Sequence, residues 1–167
     1  GKEPEGVKVS ADGRVVYVTS EVANLVHAID VASAKVVKNI KVGKRPRRFA
    51  LTPDGTQLWV TNELDATVSI IDTAKLEVVG SITFEIKGMR AADITPVGIT
   101  MTRDGKRAFV GMGRANHVAF VDVATRKVTH QVLVGKRAWN VALDKAEQTL
   151  LVVNGLSDDV TVVDTAS

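Results

Sequence analysis

The sequence predicts an all-β chain, a β-propeller of four-stranded antiparallel blades, and three observations predict it. Asp30, Asp72, Asp122 and Asp164 each close an apolar alternating run, in HAIDVAS, SIIDTAK, AFVDVAT and TVVDTAS, at intervals of 42, 50 and 42 residues. Asp12-Gly13, Asp54-Gly55 and Asp104-Gly105 keep the same 42 and 50 spacing. Valine is used far more than leucine in these runs, and β-branched residues suit a pleated, half-buried surface. A repeat near 42 residues built from short strands indicates stacked blades. A sandwich has turns at similar spacing, but it has no need of the same four-strand unit returning in register.

Each element follows from local chemistry. In the second repeat, residues 48–52 read as a first strand, and Pro53-Asp54-Gly55 turns the chain. Proline suits the second turn position, and glycine supplies the positive φ that closes a hairpin. A second strand covers 57–62, a third covers 67–72, and an outer strand covers 77–82 after a tight turn at 73–75. First strands elsewhere are 7–10, 97–102 and 140–143; second strands are 15–20, 107–112 and 149–154. Third strands are 25–31, 117–123 and 159–164, and outer strands are 36–42 and 128–134, which makes fifteen strands in all. The fourth repeat has Ala146-Glu147 in place of Asp-Gly and no outer strand.

The chain therefore divides into blade 1 (4–43), blade 2 (44–84), an insertion (85–95), blade 3 (96–135) and blade 4 (136–167). The insertion accounts for the 50-residue interval. It reads as a surface excursion between blades or as a lid or partner-docking loop, since long loops in compact domains are often functional.

Composition removes several function classes. The absence of cysteine excludes disulfides and thiolate chemistry. A net charge of +3 is mildly basic, and the basic groups are not interleaved with the aromatics that single-stranded nucleic acid requires. No apolar stretch approaches the ~20 residues of a membrane-spanning helix, so no membrane insertion is expected. The chain opens in mid-motif at Gly1-Lys2-Glu3-Pro4, so it carries no information about a leader.

Asp30, Asp72, Asp122 and Asp164 look like paired carboxylates, but their regular recurrence argues for turns. An Asp before a tight turn accepts backbone N–H bonds, and Gly13, Gly55 and Gly105 complete the turn framework. His27, His117 and His130 fall in three different registers, which predicts no metal or haem site. No GxSxG is present, and GMGRAN at 111–116 follows a strand without opening a helix, so a dinucleotide site is not expected. No catalytic constellation is recognisable.

The loops leading into the innermost strands are the best candidates for binding. Gly43-Lys44-Arg45-Pro46-Arg47-Arg48 aligns with Gly135-Lys136-Arg137-Ala138-Trp139-Asn140, and the register of Arg47 elsewhere holds Glu5, Val97 and Trp139. Chemical variety at one register of a uniform repeat is the pattern of a ligand face. Lys44, Arg45, Arg47, Lys136 and Arg137 are expected to converge there, offering planar forks for carboxylates or phosphates, with Trp139 as a stacking platform and Glu5 beside them. The plainer readings are loop charge balanced by neighbouring carboxylates and a Trp139 that packs between blades.

Tyr17-Val18-Thr19-Ser20, Trp59-Val60-Thr61-Asn62 and Leu151-Val152-Val153-Asn154 resemble the Tyr-Val-Thr-Asn signature of the YVTN β-propeller repeat family. The phrases PEGVKVSADG (4–13), GKRPRRFALTPDG (43–55), SITFEIKG (81–88), ITPVGITMTRDGKRAFVGMG (94–113) and VGKRAW (134–139) are similar to propellers associated with PQQ-dependent alcohol catabolism in bacteria. The resemblance implies a periplasmic or secreted ring of about seven blades, of which this chain is a fragment. It also implies a non-catalytic binding or scaffold role beside a periplasmic PQQ-dependent dehydrogenase or its cytochrome. PQQ, a flat tricarboxylate, is compatible with the basic loops as a bound ligand; no cofactor is otherwise indicated. Two other readings stay open: a propeller enzyme (a lactonase, or a haem or quinone oxidoreductase) whose site lies in other blades, and a cell-surface interaction module. Ring closure by a homodimer of eight blades or by a compact four-blade ring are alternatives to the fragment.

Overall fold

The computed structural model describes residues 2–166. Blade 1 contains β1 (Pro4–Val9), β2 (Val15–Ser20), β3 (Leu25–Asp30) and β4 (Lys35–Lys41). Blade 2 contains β5 (Pro46–Leu51), β6 (Gln57–Asn62), β7 (Thr67–Asp72) and β8 (Glu77–Thr83). A single helical turn, α1 (Ala91–Ile94), precedes β9 (Pro96–Met101), β10 (Arg107–Met112), β11 (His117–Asp122) and β12 (Lys127–Leu133) of blade 3. Blade 4 contains β13 (Ala138–Leu143), β14 (Thr149–Asn154) and β15 (Asp159–Asp164).

Every sheet is an antiparallel meander paired in chain order, three of four strands and one of three. Neighbouring blades meet through β1, β5, β9 and β13, which are therefore the innermost strands. Side chains of adjacent sheets interdigitate: Tyr17, Leu58, Trp59 and Phe109 are all fully buried. On the last sheet the equivalent positions are uncovered. Val160 and Val162 are 53% and 67% exposed, whereas Val68 and Ile70 in the same registers of blade 2 are 0% exposed.

The innermost strands begin earlier than the alternation predicts. In β1 and β5 the pairing register shifts between Pro4 and Val7 and between Pro46 and Phe49. These are β-bulges, and a bulge displaces side chains from strict alternation, so the pattern is legible only beyond it. Threonine hydroxyls satisfy the displaced amides: Gly6 N donates to Thr19 Oγ1 at 2.7 Å and Arg48 N to Thr61 Oγ1 at 3.0 Å. The same hydroxyls donate across to the next blade, Thr19 to Arg47 O at 3.1 Å and Thr61 to Val97 O at 2.7 Å.

The turns explain the recurring aspartates. Asp30 Oδ1 accepts from Ser33 N at 2.8 Å, Asp72 Oδ1 from Lys75 N at 2.9 Å, Asp122 Oδ1 from Thr125 N at 2.7 Å and Asp164 Oδ1 from Ala166 N at 2.8 Å. Gly13, Gly55 and Gly105 take φ of 74°, 72° and 69°, and Glu147 takes 60° at the same place in blade 4. Glu147 is held in that conformation by its neighbour blade, its Oε1 accepting from Arg103 N at 2.8 Å and Nε at 3.0 Å.

The insertion is anchored by its apolar residues. Phe84, just before it, and Ile94, near its end, are buried, and Ile86 and Met89 pack on the cluster between blades 2 and 3. It delivers Thr95 to the loop face, where Thr95 O accepts from Gly113 N at 2.8 Å and Thr95 Oγ1 from Arg114 N at 2.6 Å.

Candidate ligand site on the loop face

Four successive registers build this face. Glu3, Arg45, Thr95 and Arg137 all adopt left-handed backbone, with φ of 52°, 56°, 54° and 61°. Such a conformation costs roughly 1–2 kcal/mol for a residue with a Cβ, so the surrounding structure must impose it. Asparagines of the preceding blade do this for two of them: Arg45 N donates to Asn24 Oδ1 at 2.9 Å and Arg137 N to Asn116 Oδ1 at 2.8 Å. Two residues further along lie Glu5, Arg47, Val97 and Trp139. Directly after the second strands come Glu21, Glu63, Gly113 and Gly155, then Val22, Leu64, Arg114 and Leu156.

Arg47 sits at the centre. Its side chain is 7% exposed and meets three carboxylates: Nη1 donates to Glu21 Oε1 in a short hydrogen bond, Nε lies 3.4 Å from Glu63 Oε2, and Nη2 lies 3.8 Å from Glu5 Oε1. Arg45 Nε reaches Glu21 at 2.8 Å and Glu63 at 3.3 Å, and Arg48 Nη2 reaches Glu5 at 2.9 Å. The hydrogen bond to Glu21, followed by the charge of Glu63, pushes the Arg45 guanidinium above its ordinary pKa. Three arginines and three glutamates therefore balance. A buried pair broken on one side leaves an uncompensated charge, which makes this network rigid.

Trp139 is half-buried against two cations, with Arg47 Cζ 4.9 Å and Arg137 Cζ 4.4 Å from its ring centroid. Beside it opens a cavity of about 500 Å³ lined by Arg45, Arg47 and Glu63 on blade 2, Thr95 of the insertion, Arg114 on blade 3, and Arg137 and Trp139 on blade 4. Arg114 and Arg137 are exposed, and neither forms an ion pair among the described residues. They supply the unbalanced charge of the cavity.

The predicted residues separate into two groups. Arg45, Arg47, Arg137 and Trp139 share the cavity, and Glu5 reaches its rim through Arg47 and Arg48. Lys44 instead pairs with Asp65 at 3.7 Å, and Lys136 is exposed outside the lining. Arg47 differs from the open cation expected of a loop, because three carboxylates enclose it. Sequence reasoning missed Glu21, Glu63 and Arg114. The signal was available, since 21, 63, 113 and 155 keep the same 42, 50, 42 spacing and change from acid in the first two repeats to glycine in the last two.

The histidines are dispersed. His27 Nδ1 bonds Asn39 Oδ1 at 2.6 Å, His117 Nδ1 bonds Ala115 O at 2.5 Å, and His130 stacks on Phe120 at 3.9 Å between centroids. Among the described residues no group of three or more His, Cys, Asp or Glu is placed to hold a metal ion.

Antiparallel four-stranded sheets packed through their first strands define a β-propeller. The chain belongs to the lactonase, seven-bladed β-propeller family, whose family model matches residues 32–166. A YNCE-like β-propeller model matches residues 1–54. No curated protein sequence matches the chain. Among solved structures, the fold is similar to hydrazine synthase of Kuenenia stuttgartiensis, with a TM-score of 0.86 at 22% identity over 99% of this chain and 48% of that one. It is also similar to a Bacteroides uniformis protein described as a candidate 6-phosphogluconolactonase, with a TM-score of 0.83 at 16% identity over 97% of this chain and 50% of that one. The chain thus spans about half the length of these structures. At such identities the likeness concerns the fold.

Proposed function

We propose that this chain is a non-catalytic binding portion of a propeller that takes a flat anionic ligand on its loop face. The observation that carries the reading is the cavity of about 500 Å³ beside Trp139, in which Arg114 and Arg137 add positive charge to an otherwise balanced set. Arginine forks suit carboxylates, and an indole face suits a planar ring. The buried carboxylates Glu21 and Glu63 are both engaged by arginines, an arrangement poor for proton abstraction. The phrases shared with PQQ-associated propellers support a periplasmic accessory role in PQQ-dependent alcohol oxidation, with PQQ or an acidic surface of the dehydrogenase or its cytochrome as the anion.

Trp139 provides the test. Trp59 is fully buried with Nε1 bonded to Gln57 at 3.1 Å, so ligand-dependent changes in tryptophan emission report on Trp139. Titration with benzene-1,3,5-tricarboxylate, and calorimetry with PQQ, are expected to show saturable binding that Arg114→Glu with Arg137→Glu weakens by roughly a hundredfold, about two charge-assisted contacts. Binding unchanged in that double variant sinks the assignment. The family match favours a second reading, hydrolysis of a lactone at a site shared with further blades. Steady lactone turnover by the protein, followed by acid release, would replace the binding reading.

A further inference from the structure

The loop tips that follow the second strands are apolar where loops are ordinarily polar. Positions 22, 64, 114 and 156 share one register, and three of the four are aliphatic: Val22, Leu64 and Leu156 are 58%, 39% and 64% exposed. Apolar residues scattered singly over a surface need no explanation, but these recur at one register and so crown one face. Val22 and Leu64 wall a cavity of about 390 Å³ together with Glu3, and Leu156 walls the cavity of about 500 Å³ beside Trp139. Arg45 lines both cavities, so the two adjoin and form one groove across blades 1 to 4.

The groove is bipolar. Arg114 and Arg137 are the unpaired cations of the larger hollow. In the smaller one the cations are matched, Lys44 by Asp65 and Arg45 by Glu21 and Glu63. Glu3 there is exposed and forms no ion pair among the described residues. Sheets packed face to face lie about 10 Å apart, so the two blade steps from Val22 to Arg114 take about six residues of extended chain. A small planar anion fills only the cationic end.

We propose that this groove docks an extended peptide segment of a partner protein. An acidic side chain of the segment pairs with Arg114 and Arg137, an aliphatic one fills the hollow walled by Val22 and Leu64, and a basic one pairs with Glu3. Opposite charges at the two ends fix the direction of the segment, because reversal sets like charges together. The aliphatic contact supplies affinity that exposed ion pairs do not. This rests on the anion-binding reading above and names the source of the anion, the acidic end of a protein segment.

The test is an array of immobilised hexapeptides holding Asp, Leu, Lys and Gly in every order, probed with the purified protein, then anisotropy of the strongest binder in solution. The wild-type protein is expected to select peptides with Asp at one end, Lys at the other and Leu between them, in a single orientation. Replacing that Leu by Gly should weaken binding at least about fivefold, the scale of a half-buried leucine. Glu3→Lys should change the selected Lys to Asp, and Leu64→Glu should change the selected Leu to Lys, each altering its own position. A profile that stays as in the wild type, or that vanishes in either variant, overturns the proposal, since the substituted side chain would then be reading nothing or only holding the fold. Benzene-1,3,5-tricarboxylate, followed by Trp139 emission, separates the two readings. If it binds the wild type while the array shows no preference for Leu or Lys, this inference falls and the anion reading stands; if neither it nor any peptide binds, both fall.

Discussion

Replacing Arg47 by methionine should destabilise this protein far more than the same change at its neighbour Arg48. Arg47 is 7% exposed and contacts Glu21, Glu63 and Glu5, of which the first two are 6% and 10% exposed at the side chain. Methionine retains much of the packing but removes the charge that the two buried carboxylates face, leaving Arg45 as their remaining cation. Breaking a buried pair from one side costs about 3–5 kcal/mol. Arg48 is 42% exposed and pairs with Glu5 alone, an arrangement worth ~0–1 kcal/mol. For a domain of this size each kcal/mol moves the melting temperature by roughly 2–4 °C, so Arg47→Met should fall by about 6–20 °C and Arg48→Met by no more than about 4 °C. Urea denaturation followed by emission of the buried Trp59 gives both free energies under one condition. A difference between the variants below about 1 kcal/mol would refute the account, because the carboxylates would then be accommodated without Arg47.

Four further perturbations test the frame. Thr52→Val should raise the pKa of Asp54, whose carboxyl is held below its ordinary 3.8 first by the Thr52 hydroxyl; an unmoved NMR titration of Asp54 would contradict this. Asp12, Asp54 and Asp104 are all depressed, led by hydroxyls of Ser10, Thr52 and Thr102. Their contribution is therefore present above pH 3.8 and lost as pH falls through the lower folded values, so an acid melt should steepen below about pH 4. Gly6→Ala would place a methyl 2.1 Å from Arg47 O, and overpacking of that kind costs about 1–3 kcal/mol; an unchanged urea midpoint would show that the bulge relaxes freely. Ala34 is exposed with φ of 54°, so Ala34→Gly should stabilise by about 0.5 kcal/mol, the left-handed strain less the added chain entropy, and a lowered melting temperature would count against it.

The strands were legible because second strands follow an Asp-Gly turn in three of the four repeats and third strands end at an Asp turn. The innermost strands were legible only in part, since the bulge before Val7 and Phe49 moves side chains off the alternating pattern. Basic loops were visible through the chemical contrast of Glu5, Arg47, Val97 and Trp139 at one register. Burial of Arg47 was not, because it is decided by Glu21, 26 residues away, and by Trp139, 92 residues away. Arg114 lay inside GMGRAN, a stretch judged only for its glycines. Glu63 directly follows a strand, where a polar residue is ordinary, although Glu21 occupies the same position one repeat earlier.

The threonines that tie one blade to the next make the series a chain of unequal links. Thr19 joins blade 1 to blade 2 and Thr61 joins blade 2 to blade 3, each through a hydroxyl on the following inner strand. At the third joint the register holds Gly111, which has no hydroxyl, and the backbones simply approach, with Ala138 O 3.0 Å from where a Cβ would stand. In a linear array the opening free energy of a unit depends on its joints. The third joint is held from its ends instead, where Arg137 N donates to Asn116 Oδ1 at 2.8 Å, Arg103 N to Glu147 Oε1 at 2.8 Å and Arg103 Nη2 to Lys145 O at 2.7 Å, so the tie moves from the sheet interior to its two rims. The site spans both kinds of joint, and an occupant touching Arg47 and Arg137 would bridge blades tied through their interiors and blades tied at their rims.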